Sequence, residues 1–366
     1  MDKIKRYIDC YVPVTTCTLR CPYCYITRHR LFEGSLPKFE YSPEYVRKAL
    51  SKERLGGTCL INFCAGGETL LAKEVVNYVR ELLEEGHYCS VVTNGTLSNR
   101  IAEFAELPSY LTKHLFFKFS YHYLELKERN LFDTFFNNIR LVRDAGCSFT
   151  LELTPSDEAI PFIAEIKSRA LHELGAWNHV TIARDEKDDS ELPILSTLSR
   201  EEYKKTWGVF ESKLFDYKYE IFETKRKEFC YAGDWTFSLN LMTGEMSQCY
   251  KGYYQQNIFE DISKPIAFRA IGANCKEHHC YNGHAWLALG DIPTLKAPTY
   301  AEMRNRVCVD GSEWLSEEMR SFMSSKLYES NKQYNFLKRA YTNFRYRYPA
   351  IVGVAWKIYS NITDRK

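Results

Sequence analysis

The chain has 366 residues, of which 45% are hydrophobic and 26% are charged, and its formal net charge is +2. A chain of this length and apolar content can bury a full-sized core, which excludes a mainly disordered protein. The small net charge gives no global electrostatic reason to expect a nucleic-acid partner, and no segment supplies the roughly 20 uncharged apolar residues of a membrane span.

The N-terminal sequence and the cysteine content together indicate the compartment. The first residues run directly into an alternating strand pattern, without the long apolar stretch or the cleavage site of a secretory signal. We therefore expect a cytoplasmic protein. Because that compartment keeps thiols reduced, the 13 cysteines are not expected to form a disulfide framework, and many of them should bind metal.

Short β-branched and aromatic segments alternate with helical patterns through the first half of the chain. Strands are predicted at residues 11–16, 59–64, 89–94, 115–122, 148–154 and 179–184. Helices are predicted at residues 44–53, 74–85, 99–107, 135–146 and 159–175, where apolar residues recur at spacings of three and four. This α/β alternation predicts a parallel sheet, and six such units suit a partial (β/α)6 barrel of the TIM type. In such barrels the loops after the strands build the active site.

The rest of the chain is predicted to form a small second domain and a tail. We assign residues 1–190 to the barrel, 191–229 to a charged helical bridge, 230–310 to a cysteine-bearing domain with a β-hairpin and a helix, and 311–366 to a basic helical tail.

The tail allows two interpretations. From residue 331 onward it holds eight Lys and Arg residues against a single acidic residue, Asp364. An apolar helix face before Pro349 is predicted from Tyr334, Leu337, Tyr341, Phe344 and Tyr348. The helix could dock on the barrel, or its basic and aromatic residues could touch an anionic membrane or a lipid-linked substrate.

Three cysteines follow the first predicted strand at close spacing. Cys17, Cys21 and Cys24 stand in the segment CTLRCPYC. Three thiolates on one tight loop can bind three corners of a [4Fe-4S] cubane and leave the fourth iron open. Zinc is the alternative, but structural zinc takes four ligands, usually in two close pairs, and no fourth ligand is adjacent.

This spacing, with an aromatic residue before the last cysteine, resembles the signature of the radical S-adenosylmethionine (radical SAM) superfamily. The resemblance implies a [4Fe-4S] cluster whose open iron chelates the methionine moiety of S-adenosylmethionine, and it implies that Tyr23 contacts the adenine. It continues at Gly66-Gly67-Glu68 after the second strand, where family members use a GGE-type turn to hold the methionyl amino group. Glycines let the backbone approach closely, and a carboxylate such as Glu68 is suited to pair with an ammonium.

Four further residues at the ends of later strands are candidates for cofactor contacts. Asn94 closes the third predicted strand, and Ser120, at the end of the fourth, is our candidate for the ribose hydroxyls. Glu152 in the fifth strand and Arg184 after the sixth could touch cofactor or substrate, or could be structural ion-pair partners.

A second group of cysteines comprises Cys230, Cys249, Cys275 and Cys280. The segment 236–250 predicts a hairpin that turns at Gly244 and brings Cys249 back towards Cys230. Four thiolates could fill every corner of a cluster.

The C-x13-G-x4-C element formed by Cys230, Gly244 and Cys249 resembles the SPASM and twitch extensions of radical SAM enzymes. That resemblance implies an auxiliary [4Fe-4S] cluster, and four cysteines fit the twitch form with one cluster. The last pair departs from the family because His278 and His279 stand within a four-residue spacing. A histidine could therefore replace a cysteine, or the site could hold zinc.

Cys308 stands apart from both groups. It could be a further ligand or the hydrogen-atom donor of a catalytic step. As a donor to a substrate radical it would indicate epimerisation of a peptide or a sugar.

Taken together, the resemblances imply reductive cleavage of S-adenosylmethionine to a 5′-deoxyadenosyl radical, which abstracts hydrogen from a substrate. An auxiliary cluster with all ligands filled cannot chelate substrate, so it is expected to accept an electron, which favours dehydrogenation or cross-link formation. The family further implies a peptide or carbohydrate-like substrate and a reductant such as flavodoxin or ferredoxin. The alternative from another class is a non-catalytic iron-sulfur or zinc scaffold.

Overall fold

The computed structural model describes residues 2–186, 192–250, 252–280, 283–349 and 351. In these residues nine strands form one sheet. They are β1 (Arg6–Val12), β2 (Cys59–Ala65), β3 (Tyr88–Thr93), β4 (Leu115–Ser120), β5 (Ser148–Leu153), β6 (His179–Val180), β7 (Thr236–Asn240), β8 (Glu245–Ser247) and β9 (Gln255–Asn257).

The order across the sheet is β6-β5-β4-β3-β2-β1-β7-β8-β9. Strands β1 to β6 are parallel neighbours in chain order, as expected for the partial (β/α)6 barrel. The predicted α/β fold is therefore confirmed.

Helices connect the parallel strands and cover the outside of the sheet. They are α1 (Tyr25–Arg28), α2 (Pro43–Ala49), α3 (Lys52–Leu55), α4 (Val75–Glu84), α5 (Ser98–Ala105), α6 (Ser109–Thr112), α7 (Tyr123–Glu128), α8 (Phe132–Asp144), α9 (Ile163–Leu174), α10 (Arg200–Gly208), α11 (Lys213–Ile221), α12 (His284–Leu289), α13 (Tyr300–Arg304), α14 (Glu317–Ser324), α15 (Leu327–Ser330) and α16 (Phe336–Arg347). Helix α4 shows why they form, since Val75, Val79 and Leu82 recur at helical spacing and are all buried. Among the described residues, none of these helices has the length and apolar character needed to cross a bilayer.

Strand β1 differs from its predicted position. The sequence pattern suggested residues 11–16, but the strand ends at Val12, because Pro13 has no N–H to donate to a neighbouring strand. Its earlier start was hidden by Arg6 and Asp9, two charged residues that argue against a buried strand. Both are satisfied inside the fold, since Arg6 donates to the Leu55 carbonyl at 2.9 Å and Asp9 accepts from Asn62 at 2.7 Å.

The cysteine-bearing segment continues the barrel sheet. Strand β7 runs parallel to β1, and β8 and β9 follow as antiparallel neighbours. The hairpin between β7 and β8 turns at Gly244, as expected from the sequence, with a φ of +78° that glycine adopts without strain. The region from residue 230 and the barrel therefore share one hydrogen-bonded sheet.

Helices from the C-terminal part of the chain close the N-terminal end of the barrel. The ring of Tyr88 stacks on Phe322 of α14 with 3.7 Å between centroids, and Tyr7 meets Trp286 of α12 at 6.4 Å. Leu60 belongs to the same buried apolar cluster. This apolar plug leaves the carboxyl ends of the strands as the open end of the barrel.

Helix α16 docks on the residues around the four-cysteine segment. Thr342 is buried, Asn343 accepts a hydrogen bond from the backbone N–H of Ala273 at 2.9 Å, and the Tyr346 hydroxyl accepts one from Gln248. The docked face is therefore formed by residues 342, 343 and 346.

The apolar face that the sequence predicted for the tail lies mostly in solvent. Tyr334 packs against Tyr231 with 5.1 Å between ring centroids. The exposed members are Leu337 (75%), Tyr341 (56%), Phe344 (42%) and Tyr348 (46%). Helix α16 docks on the four-cysteine segment and not by the predicted apolar face, because its polar side chains find backbone and amide partners there. The predicted basic residues Lys357, Arg365 and Lys366 lie outside the described residues.

Candidate functional site

The predicted cluster-binding cysteines follow β1 at the open end of the barrel. Residues 13–24 form the connecting loop, and Cys24 stands directly before α1. Burial raises the pKa of the Cys24 thiol, whereas hydrogen bonds from the N–H groups of Ile26 and Thr27 at the start of that helix lower it. The helix start thus favours a thiolate at this position.

The three thiols are within electrostatic reach of one another. Burial raises the pKa of Cys21 far above its usual range, and the charges of Glu125, Cys24 and Cys17 add to this effect. Burial also raises the pKa of Cys17. Thiols of this kind stay protonated until a metal displaces the proton, so their chemistry suits metal binding.

The thiols do not converge like the ligands of a single metal ion. In the described residues, no group of three or more His, Cys, Asp or Glu side chains has that arrangement. A cubane presents its irons at separate corners, so cluster ligands need not converge on one point.

The Gly66-Gly67-Glu68 turn is hydrogen-bonded to the segment that leads into the cysteine loop. Gly67 N donates to the Val14 carbonyl at 2.7 Å, and Glu68 N donates to the Thr16 carbonyl at 2.9 Å. A Cβ on Gly67 would lie 1.9 Å from the Thr16 carbonyl oxygen. Glycine at 67 is therefore required because two backbones meet there.

The Glu68 carboxylate links the ends of β2 and β3. It accepts hydrogen bonds from the Leu70 N–H at 3.0 Å, the Thr93 hydroxyl at 2.7 Å and the Asn94 N–H at 2.7 Å. Burial raises the pKa of Glu68. The three hydrogen bonds lower this pKa because they favour the charged form, but the effect of burial is larger. With three of about four acceptor positions used, the carboxylate has little capacity left for an ammonium group.

Asn94 connects this turn to the cysteine loop. Its side-chain amide donates to the Thr18 hydroxyl at 2.9 Å and lies 3.6 Å from the Cys17 sulfur. A hydrogen bond to the sulfur lowers the pKa of Cys17, in the sense that favours a metal-bound thiolate. Asn94 therefore touches a predicted ligand directly, which is more than its sequence position indicated.

Tyr23 and Ser120 occupy different environments near this end of the barrel. The Tyr23 hydroxyl is hydrogen-bonded to His122 Nδ1 at 2.6 Å, and its ring lines a cavity of about 390 Å³ together with Arg28. Ser120 ends β4 and is the cross-strand partner of Glu152. The contact of Tyr23 with the adenine and the contact of Ser120 with the ribose hydroxyls stay predictions.

A larger cavity of about 530 Å³ occupies the interior of the barrel above the apolar plug. Its lining includes the rings of Tyr7, Tyr11, Tyr25 and Tyr250, the backbone of Gly66, and the ionisable side chains of Asp9, Lys118, Arg184, Glu186 and His284. A site of this size and mixed lining suits an organic substrate with several polar groups.

Asp9 and Asn62 line this cavity and belong to a row of polar side chains on adjacent strands. Asp9, Asn62 and Ser90 are cross-strand partners on β1, β2 and β3. Asn62 donates to Asp9 at 2.7 Å, and Ser90 donates to Asn62 at 2.7 Å. The sequence reasoning missed these residues, although a polar residue within an otherwise apolar strand signals a buried polar site.

Two predicted residues, Arg184 and Glu152, have ionic partners. Arg184 lines the barrel cavity and pairs with Glu186 at 2.6 Å. Glu152 forms an ion pair with the buried Arg304. Burial alone would raise the pKa of Glu152, but Arg304 and Lys118 bring it below its usual value.

The four cysteines of the second group line one small cavity. Cys230, Cys249, Cys275 and Cys280 surround a space of about 60 Å³, which exceeds the roughly 10–15 Å³ that one water molecule needs. Burial raises the pKa of Cys280 to about 12. The structure thus places the four cysteines around one cavity, and their role as ligands of a cluster stays a prediction.

Two other potential ligands lie at the same small cavity. His279 lines it, whereas its neighbour His278 is exposed. Asp291 also lines it, accepts a hydrogen bond from the Thr236 hydroxyl, and has a pKa that burial raises to about 8. Replacement of a cysteine ligand by histidine is therefore open only to His279 of the pair.

Tyr250 lies between the two cavities and lines both. Its hydroxyl donates to Asp9 at 2.5 Å, and its ring stacks on Trp286 with 5.3 Å between centroids. A single aromatic side chain thus separates the barrel cavity from the four-cysteine cavity.

Cys308 lines neither cavity and packs at the end of α9. Its sulfur donates to the Leu174 carbonyl at 3.2 Å, and its Cβ packs against Gly175 at the end of α9. Helices of a parallel barrel end at the N-terminal end of the next strand, so this position is at the far end from the cysteine loop. The expected roles of Cys308 as ligand or hydrogen donor are corrected accordingly.

The comparisons with known proteins identify one domain. Residues 11–155 match the model of the radical SAM superfamily. The match begins within β1, runs past the end of β5 and covers less than half of the chain. No curated protein matches the sequence.

Several solved structures are similar at low identity. SuiB of Streptococcus suis, bound to S-adenosylmethionine, is 12% identical over 71% of this chain and 64% of its own, with a TM-score of 0.47. anSMEcpe with bound AdoMet and Cp18Cys peptide is 15% identical over 98% of this chain and 100% of its own, with a TM-score of 0.47. BtrN in complex with AdoMet and 2-DOIA is 15% identical over 71% and 84%, with a TM-score of 0.31. The match thus spans less than two thirds of the SuiB chain.

Substitution of Gly67 by alanine tests the contact between the GGE turn and the cysteine loop. Because the added Cβ would meet a backbone oxygen that cannot rotate away, we expect Gly67→Ala to lower the free energy of unfolding by about 3 kcal/mol. Chemical denaturation measures this change. Gly34→Ala is the matched control, since its Cβ has nothing within 4 Å, and equal stability of the two variants would contradict the prediction.

Proposed function

We propose that this protein is a radical SAM enzyme that cleaves S-adenosylmethionine reductively and abstracts hydrogen from a peptide or carbohydrate-like substrate. The observation that carries the proposal is the hydrogen-bonded unit of the cysteine loop, the GGE turn and Asn94 within the radical SAM domain. This unit combines three thiols with backbone and side-chain donors at the open end of a barrel.

The roles of the individual residues follow from their contacts. Cys17, Cys21 and Cys24 would hold the cluster, and Asn94 would donate to the Cys17 sulfur. With cluster and cofactor bound, an electron from flavodoxin or ferredoxin would release a 5′-deoxyadenosyl radical. The GGE turn would keep the loop in position through its two backbone hydrogen bonds.

We further propose that the four-cysteine cavity holds one auxiliary [4Fe-4S] cluster. Cys230, Cys249, Cys275 and Cys280 all line it, which supports a fully ligated site without room for substrate. Such a site suits electron acceptance, so an oxidoreductase that forms a double bond or a cross-link is favoured over an isomerase.

The position of Tyr250 supports the connection between the two sites. The Tyr250 ring lies on the wall shared by both cavities, and Tyr250 directly follows Cys249 in the sequence. Its hydroxyl is hydrogen-bonded to Asp9, a carboxylate at the barrel cavity that could take the proton lost by a substrate. Substrate oxidation with electron transfer to the small cavity therefore needs no large movement of the chain.

The epimerase alternative depended on Cys308 as the hydrogen donor. It required a hydrogen donor beside the substrate, and Cys308 packs at the far end of the barrel. The non-catalytic scaffold stays as the alternative from another class, and the following measurement separates it from an enzyme.

Replacement of the three loop cysteines tests the radical SAM activity. Anaerobically reconstituted protein is expected to bind about eight irons and to release 5′-deoxyadenosine with dithionite, whereas the Cys17→Ala, Cys21→Ala, Cys24→Ala variant should bind about four irons and release none. Iron and sulfide analysis and chromatography measure both quantities. Absence of product from the unaltered protein would favour the scaffold.

Replacement of two auxiliary cysteines tests the second cluster. We expect Cys230→Ser with Cys280→Ser to bind about four irons and still release 5′-deoxyadenosine, because the loop cysteines are unchanged. Cys147→Ala, which alters a buried thiol at the start of β5, is the control and should keep about eight irons. Four irons in the unaltered protein would remove the auxiliary cluster from the proposal.

A further inference from the structure

Lys118 is a cation at the barrel cavity that has no ion-pair partner among the described residues. Lys118 lines the cavity, and its polar contact is the Asn62 side-chain oxygen at 3.4 Å. Among the described residues, no carboxylate lies within 4 Å of its ammonium group. Asp9 lines the same cavity, and its carboxylate accepts hydrogen bonds from Asn62 and Tyr250.

A second lysine, Lys218, lies within electrostatic reach of Lys118. Lys218 is buried and donates to the Thr181 hydroxyl at 2.6 Å, and neither it nor Lys118 has an ion-pair partner in the described part of the chain. Glu152 is committed to Arg304. Burial lowers the pKa of Lys218 to about 7, and Arg184, Arg304 and Lys118 contribute to that effect. An anion at the cavity would relieve this repulsion.

His284 supplies a hydrogen-bond donor at the same place. Its Nε2 lies 2.9 Å from Arg304, and because a guanidinium only donates, Nε2 must accept. Burial and the neighbouring cations hold the pKa of His284 well below its usual range, so the ring is neutral and carries its hydrogen on Nδ1. In the described residues this buried Nδ1 has no hydrogen-bond partner.

We propose that Lys118 and His284 bind an anionic group of the substrate, a carboxylate or a phosphate, in the barrel cavity. The inference rests on the proposed function for the identity of the site, and it names the chemical class of the substrate. One ammonium and one neutral N–H donor match the oxygens of such a group. The aromatic rings of the cavity would contact the rest of the molecule.

The test measures anion binding without turnover. Acetate and inorganic phosphate, each at constant ionic strength, are expected to raise the melting temperature of the reconstituted protein, and Lys118→Met should weaken the apparent affinity by about ten- to a hundredfold. Lys264→Met, at a highly exposed lysine, is the matched control and should respond like the unaltered protein. The anion that binds more tightly shows whether the anionic group of the substrate is a carboxylate or a phosphate.

Two results would overturn the proposal. One is an equal rise in melting temperature with added anion for the unaltered protein and for Lys118→Met. The other is an equal loss of S-adenosylmethionine affinity in Lys118→Met, measured by equilibrium dialysis, because the anion would then be the carboxylate of the cofactor. Both readouts are independent of 5′-deoxyadenosine release, so failure here is distinguishable from failure of the proposed function.

A second, independent observation concerns the exposed face of α16. Leu337, Tyr341, Phe344 and Tyr348 recur at spacings of four, three and four, which makes one stripe along the helix. Thr342 and Tyr346, which dock on the protein, lie on the opposite side. The helix is thus held by one face and presents an apolar aromatic face to solvent.

The charges around this stripe identify the kind of surface it fits. The basic residues of this segment are Lys332, Lys338, Arg339, Arg345 and Arg347, and residues 331–351 contain no Asp or Glu. A second copy of the chain would bring the same positive charge to the contact. An anionic lipid surface instead attracts basic residues and accommodates Tyr and Phe at its interface.

We infer that this face of α16 binds the surface of an anionic membrane. The test is cosedimentation of the full chain with vesicles of phosphatidylcholine alone, or with about a third of phosphatidylglycerol added. We expect binding to the anionic vesicles, and about a tenfold loss in Tyr341→Ser with Phe344→Ser. Val307→Ser with Val309→Ser removes two apolar residues elsewhere that are even more exposed, and this variant should bind normally.

Three outcomes would overturn this inference. They are absence of binding to the anionic vesicles, equal loss in the control variant, and self-association in sedimentation velocity that Tyr341→Ser with Phe344→Ser abolishes. The last result would assign the face to contacts between copies of the chain.

Discussion

A buried carboxylate holds the open end of this barrel together. Glu68 accepts hydrogen bonds from residues at the ends of β2 and β3, and its own backbone N–H is bonded to the segment that enters the cysteine loop. Removal of one such bond would leave a buried charge or donor unsatisfied, which costs more than the bond itself contributes. The position of the three thiols therefore depends on a residue that binds no metal.

The barrel is divided along its axis into an apolar and a polar part. Tyr7, Leu60 and Tyr88 pack on the C-terminal helices, whereas Asp9 and Asn62, two residues further along their strands, face the cavity. Since side chains alternate along a strand, positions two apart share a face, and one set of strands supplies both the plug and the polar lining of the cavity. The C-terminal half is needed for this division because it provides the apolar side of the plug.

The sequence indicated the fold and the cysteine groups because both have local signals. Alternating apolar patterns marked the strands, and close spacing marked Cys17, Cys21 and Cys24. The approach of Cys249 to Cys230 was less local, but the predicted hairpin was enough to infer it. These features depend on neighbours in the chain, so they can be read without the structure.

The features that could not be predicted depend on contacts between distant segments. Asp9 looked unfavourable in a strand until Asn62 and Tyr250 supplied its hydrogen bonds. Cys308 was a candidate ligand or hydrogen donor from the sequence, but chain topology places it at the end of α9. The α16 prediction failed at the docking face because Asn343 bonds to a backbone N–H that no periodicity reveals.

The parallel pairing of β7 with β1 has a mechanical consequence. Because this ladder runs from residues 7 to 11 of β1, the cysteine loop and the region that bears the second thiol group are attached to the two ends of one rigid element. A hinge between them would have to break backbone hydrogen bonds, so their separation is fixed by strand geometry and not by a linker. Any opening that admits a substrate must therefore occur in loops, while the path between the two cavities keeps a constant length.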